Sequence, residues 1–195
     1  MGNPRVRGVL FDMDGTLVDV PYDWPRIRAD LGAAEVSILT YLGRLEEPER
    51  SQKWAILEAH EEEATRQARL RPGVTRLLKR LGDGGIRTAL VTNNSRTNTD
   101  ILLSRFGLAF NLVLTRDDGL WKPSGAPLVA AMARLGLVPE ECLAVGDSSF
   151  DVRAAREAGI PGIFVIGPDG AAFTAVDVVV VPSIDELERA LAAFC

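Results

Sequence analysis

The sequence predicts an α/β protein: a doubly wound parallel sheet with a small α-helical module inserted after the first strand. Three observations predict it. Over residues 72–195, short apolar, β-branched runs alternate with helical stretches that end at glycine. One further apolar run, at residues 6–11, precedes this alternation. Between the two, residues 19–71 lose the strand-like runs and carry helical patterns instead. Apolar strands alternating with helices imply parallel pairing, with helices covering both faces of the sheet. The expected organisation is a core of residues 1–18 and 72–195 with a helical insertion of residues 19–71. A length of 195 residues suits one such domain with a modest insertion.

Each element has a local reason. Residues 6–11 form a β-branched apolar run that stops at Asp12, and Asp14-Gly15-Thr16 turns the chain. Asp23-Trp24-Pro25 reads as a helix start with Pro in the first turn. Trp54, Leu57, Ala64 and Ala68 recur near a helical period, and Pro48 suits the beginning of that helix. Glu62 and Arg66 stand at i,i+4 and support it modestly. Helices follow over residues 74–81, 98–106, 127–135, 150–158 and 184–193, with Gly82 to Gly85, Gly107, Gly136 and Gly159 closing the first four. Strands are expected at residues 86–91, 112–114, 142–145, 163–166 and 178–181, the last as a buried strand. Trp24 and Trp54 are expected in the core of the helical module, and Glu46-Glu47 and Glu61 to Glu63 on solvated faces.

Composition excludes several classes. Hydrophobic residues at 47% and charged residues at 25% match a packed globular chain rather than a disordered one. A net charge of −5 without a Lys/Arg block argues against nucleic acid as a partner. No apolar run approaches the roughly 18 residues that a membrane span needs, and none resembles a signal peptide. Two cysteines, Cys142 in an apolar run and Cys195 at the end, make no disulfide framework, and reduced thiols fit a cytoplasmic protein. The one histidine, His60, lies beside Glu61 to Glu63 and reads as a solvated surface residue.

In open parallel sheets ligands bind at the carboxyl ends of the strands. Four such ends carry chemistry here: Asp12-Met13-Asp14-Gly15-Thr16, Thr92-Asn93-Asn94, Lys122-Pro123, and Gly146-Asp147-Ser148-Ser149-Phe150-Asp151. Phosphoryl transfer to a carboxylate needs such a set. A phosphate dianion repels an approaching carboxylate, and a hard divalent cation held by oxygens removes that obstacle. Asp12, Asp147 and the main-chain carbonyl of Asp14 offer oxygens for it. A nucleophilic carboxylate splits the displacement into two steps, and a second carboxyl two residues along can protonate the leaving oxygen and then activate water. Thr92 can hydrogen-bond a phosphoryl oxygen and Lys122 can neutralise its charge. Asp151, one helical turn from Asp147, can hold Lys122 or a metal-bound water. Taken singly, each motif also reads as a turn, a helix cap or a solvated lysine. A calcium loop counted from Asp12 fails on spacing, since Leu17 and Asp23 stand where it needs Gly and Glu.

The set Asp12-x-Asp14-Gly15-Thr16, Thr92, Lys122-Pro123 and Gly146-Asp147-x-x-x-Asp151 resembles the haloacid dehalogenase-like superfamily, with all four motifs in the family's order. The phosphoglycolate phosphatase-like hydrolases are the nearest subgroup. The resemblance implies a Rossmann-like core with the helical insertion as its cap. It implies Asp12 as nucleophile, Asp14 as acid/base, Thr92 and Lys122 on the phosphoryl group, and Asn93 holding phosphate or substrate. It implies Mg²⁺ on Asp12, Asp14 (main chain) and Asp147. The substrate is then a small phosphorylated metabolite.

Other chemistries within reach of the core are discriminated by single residues. Haloacid dehalogenases lack a carboxylate at the position of Asp14. Phosphoryl-transferring ATPases carry Lys where Met13 stands. Phosphosugar mutases of this type tend to place Glu where Gly146 stands, which leaves a mutase as an alternative to hydrolysis. Receiver-type phosphoacceptor domains, or a binding protein on a retired core, are the non-enzymatic alternatives. Tyr22, Trp24, Arg66, Arg69 and Arg71 are the residues placed to meet a leaving group, beside a reading as packing and surface charge.

Overall fold

The computed structural model describes residues 6–33, 37–167 and 178–192. Strands β1 (Gly8–Phe11), β4 (Arg87–Val91), β5 (Leu112–Leu114), β6 (Cys142–Gly146), β7 (Gly162–Ile166) and β8 (Val178–Val181) form one sheet in the order β5-β4-β1-β6-β7-β8. Every described pairing in it is parallel. β1 sits between β4 and β6, with Phe11 in register with Leu90 on one side and Val145 on the other. All four β1 residues are buried, which accounts for an uninterrupted apolar run rather than an alternating one. Two short strands, β2 (Val18–Asp19) and β3 (Arg69–Leu70), pair apart from this sheet.

Helices flank the sheet. α6 (Ala126–Leu135) packs on β4 and β5, and α7 (Ser149–Glu157) on β6 and β7. α4 (Val74–Asp83) packs on β4, and α8 (Ile184–Leu191) on β7 and β8. α5 (Arg96–Phe106) follows β4 and ends at Gly107, whose φ of 63° is the left-handed closure that glycine adopts without strain. The layer under α6 and α7 is apolar: Leu10, Ala89, Val91, Leu128, Met132, Cys142, Ala144 and Val152 belong to one buried cluster.

By internal contacts the chain divides into two compact units, Met1–Asp19 with Leu70–Cys195, and Val20–Arg69. The second holds α1 (Trp24–Leu31), α2 (Ile38–Leu42) and α3 (Glu49–Gln67). Asp23 caps α1 by accepting the Arg26 N–H, with Pro25 in the first turn. α1 and α2 both pack on α3. α2 has five residues and a Ser37 cap, fewer than two turns, so periodicity gives no sign of it.

Several expectations need correction. Trp24 is 46% exposed, so it is not core; its ring lies 4.6 Å from that of Tyr22 at the surface. Glu61 is 5% exposed and so leaves the solvated face where Glu62 and Glu63 pair with Arg66. His60 is not a free surface side chain, since its Nε2 lies 2.8 Å from Asp30 Oδ2. β8 is an edge strand with Val179 46% exposed, not a buried one. The first strand begins at Gly8 rather than at residue 6. Cys195 and the expected last residue of the final helix, 193, lie outside the described residues.

Candidate active site

The carboxyl ends of β1, β4 and β6 meet at the middle of the sheet, where the strand order reverses. Asp12 follows β1 directly, and its N–H donates to Val145 O of β6 at 2.8 Å. Asp12 is 8% exposed. The Lys122 ammonium donates to Asp12 Oδ1 at 2.5 Å and to Asp151 Oδ1 at 2.6 Å, inside the protein. Asp12, Asp147 and Asp151 each bring a carboxylate oxygen within 4.8 Å of the others. Thr16 Oγ1 lies 3.4 Å from both Asp12 Oδ2 and Asp147 Oδ1.

Two glycines allow this convergence. Gly15 has a φ of 81°, and a Cβ there would overlap the Asp147 carboxylate. A Cβ at Gly146 would overlap the Asp151 side chain. Asp151 is fixed as well by Ser148, whose N–H and Oγ donate to Asp151 Oδ2 at 3.0 and 2.5 Å. Ser148 in turn caps α7, so one reciprocal capping box both starts the helix and fixes the carboxylate that meets Lys122.

The turn after β4 supplies the neutral donors. Thr92 is 3% exposed, and its Oγ1 accepts the Asn94 N–H at 3.1 Å, which leaves the hydroxyl's own proton to donate to another acceptor. Asn93 uses both ends of its amide on one residue: Nδ2 donates to Lys122 O at 2.9 Å and Oδ1 accepts Lys122 N–H at 2.8 Å. Its side chain therefore places Lys122. Asn94 Nδ2 donates to Asp14 Oδ2 at 2.9 Å.

The electrostatics follow from burial and count. Burial pushes the Asp12 carboxyl up to about 6, opposed by the Lys122 charge and helped by that of Asp151. Asp147 is pushed up to about 8 by burial, then by the charges of Asp12 and Asp151, with Lys122 and Arg71 opposing. For Lys122, burial favours the neutral amine, but the two carboxylates outweigh it and hold the ammonium above its ordinary range. Burial would likewise raise Asp151, yet the charge and hydrogen bond of Lys122 and the bonds from Ser148 hold it below the usual carboxylate range. One ammonium among three clustered carboxylates leaves a negative surplus.

That surplus, with oxygen-only donors, fits a hard divalent cation. Asp12 and Asp147 have oxygens to offer, and the Asp14 main-chain carbonyl lies on the same turn. Asp151 belongs to the geometric cluster, but its oxygens are engaged by Lys122, Ser148 and the Asp147 N–H.

Of the residues named for a leaving group, only Arg71 lies in the unit that carries the acid cluster. It donates to Asp19 Oδ1 at 2.7 Å. Tyr22, Trp24, Arg66 and Arg69 belong to the helical unit. The strand-end motifs contain Asn94 and Ser148 without giving either a role, and they do not point to Arg116. Ser148 had a readable signal in the Ser-x-x-Asp capping pattern. Arg116, 5% exposed with Nη1 3.5 Å from Asn93 O, had none.

Fold and site together define an α/β enzyme that concentrates carboxylates and one buried ammonium at the switch point of a parallel sheet. The profile of haloacid dehalogenase-like hydrolases matches residues 20–165, and the chain belongs to that family. It is 34% identical to a phosphoglycolate phosphatase of Yersinia pseudotuberculosis, covering 81% of this chain and 80% of that one. It is 29% identical to the uncharacterized hydrolase YOR131C of Saccharomyces cerevisiae, over 81% of this chain and 76% of that one. A crystal structure of a hydrolase of the same superfamily from Ehrlichia chaffeensis shares the fold at a TM-score of 0.70 and 21% identity, covering 98% of each chain.

Proposed function

We propose that this chain is a Mg²⁺-dependent phosphatase that hydrolyses a small phosphomonoester through an aspartyl phosphate on Asp12. The observation that carries the reading is the buried Asp12–Lys122–Asp151 arrangement with Asp147 beside it. A buried carboxylate beside one ammonium, in an acid cluster that a hard cation would neutralise, suits a carboxylate nucleophile meeting a dianion.

The chemistry divides among the residues. An oxygen of Asp12 attacks phosphorus while the ester P–O bond breaks. Asp14 gives its proton to the leaving oxygen, so the alcohol departs neutral. Asp14, now a carboxylate, takes a proton from water as that water attacks phosphorus, which releases phosphate and restores Asp12. Thr92 and Lys122 face the phosphoryl oxygens and offset their charge. Asn93 places Lys122 through its reciprocal amide pair. Asp12, Asp147 and the Asp14 main-chain carbonyl would hold the Mg²⁺, which when bound supplies charge neutralisation between nucleophile and phosphate.

The unit Val20–Arg69 acts in this reading as a cap that excludes water during attack and sets the leaving group. The chain lies in the cytoplasm, where Cys142 stays a reduced core thiol. Gly146, where phosphosugar mutases of this type tend to place Glu, supports hydrolysis over mutase chemistry. Among the described residues no helix is long and apolar enough to cross a membrane.

The test is phosphate release from p-nitrophenyl phosphate with Mg²⁺ and with EDTA, followed by a panel of phosphorylated metabolites beginning with phosphoglycolate. Release that EDTA abolishes and Mg²⁺ restores is expected. No release from any phosphomonoester contradicts the reading.

A further inference from the structure

We propose that Asn94 is a positioning residue for the proton-transfer step: it holds the Asp14 carboxylate in the orientation from which Asp14 protonates the leaving oxygen. The proposal rests on the phosphatase reading above and adds a residue to it.

Asp14 lies on a turn beyond the strand end, where a carboxylate with two rotatable bonds samples several orientations unless it is tied. Asn94 ties it through Nδ2 to Asp14 Oδ2 at 2.9 Å. The tie is rigid because Asn94 is itself fixed at four other points. Its N–H donates to Thr92 Oγ1 at 3.1 Å, and its carbonyl accepts the Arg116 N–H at 3.2 Å. Its Oδ1 accepts the Ser95 N–H at 2.8 Å and Asn98 Nδ2 at 3.3 Å. Asn94 is 2% exposed and Asn98 5% exposed, so water does not compete for these groups.

The same bonds fix which end of the amide faces Asp14. An oxygen that accepts two N–H groups must point toward Ser95 and Asn98, so the NH₂ end points at Asp14. An NH₂ group only donates. Asp14 Oδ2 is therefore held as an acceptor, and the hydroxyl of a protonated Asp14 sits on Oδ1. A single residue thus connects the hydroxyl that meets phosphate, the start of α5 and the acid.

A positioning role has a signature that loss of packing lacks. kcat/KM reports the steps up to transfer of the phosphoryl group to Asp12. p-Nitrophenolate leaves without a proton, whereas phenolate from phenyl phosphate needs one far more. For Asn94→Leu, kcat/KM for phenyl phosphate should fall by about tenfold or more, and for p-nitrophenyl phosphate by less than about threefold, since general acid catalysis is worth roughly 10²–10⁴. Asn98→Ala removes one of the two donors that orient the amide and leaves the Ser95 N–H. It should show the same selectivity with a smaller loss, and it decides the matter if Asn94→Leu does not fold. Equal losses on both esters, or no loss, overturn the role of Asn94 while leaving the phosphatase reading intact. A wild-type chain that releases phosphate from neither ester overturns that reading, and this inference with it.

Discussion

At the scale of single residues, the site is governed by how charge is shared. Lys122 is buried and serves two carboxylates at once, Asp12 and Asp151. Removing one member of a buried ion pair leaves the others desolvated and uncompensated, at about 3–5 kcal/mol. Lys122→Met should therefore lower the free energy of unfolding by about that amount in urea titrations as well as lowering turnover. A variant as stable as the wild type would mean that the ammonium serves substrate alone. Residue identity made much of this legible. Asp12, Asp14, Thr92, Lys122, Asp147 and Asp151 are visible because chemistry limits which side chains follow successive strands. Asn94 is not, because an asparagine after a strand is ordinary, and its value depends on a bond to a residue 80 positions away.

At the scale of elements, the start of α7 combines structure and chemistry. Ser148 Oγ donates to Asp151 Oδ2 and accepts the Asp151 N–H, so helix cap and Lys122 partner are one unit. Ser148→Ala should cost about 1 kcal/mol, the usual loss for an N-cap serine. Chemical denaturation measures this, and an unchanged midpoint would show that the box is idle. The core elements read well from sequence because glycine closes α5 and α6 where periodicity stops, and because buried parallel strands are plain apolar runs. The helical unit read less well. α3 hides a buried Glu61 within an acidic stretch, and Trp24 spends its apolar surface outside the core. Neither composition nor period reports which side of a short three-helix unit is covered.

At the scale of the whole molecule, the acid cluster couples folding to protons and to metal. The Asp147 carboxyl is raised from 3.8 to about 8 and that of Asp12 to about 6. Between 3.8 and about 8 the folded chain thus binds more protons than the unfolded one at these groups. Their contribution to stability is present at low pH and is lost as pH rises through the folded values. In EDTA, the contribution of these groups to thermal stability should accordingly fall between pH 3.8 and about 8. A bound divalent cation competes with those same protons, so the stabilisation by Mg²⁺ should grow over that window. Calorimetry with and without Mg²⁺ checks both signs. A stabilisation that shrinks with rising pH would remove the acid cluster as the metal site. The central claim is narrower: Asp12 takes the phosphoryl group. The direct measurement is acid-quenched turnover of a phosphomonoester labelled at phosphorus, followed by peptide mapping. A transient, hydroxylamine-sensitive label is expected on the peptide carrying Asp12, absent in Asp12→Asn, which also turns over no substrate. Label on another residue, or turnover that survives Asp12→Asn, would contradict it.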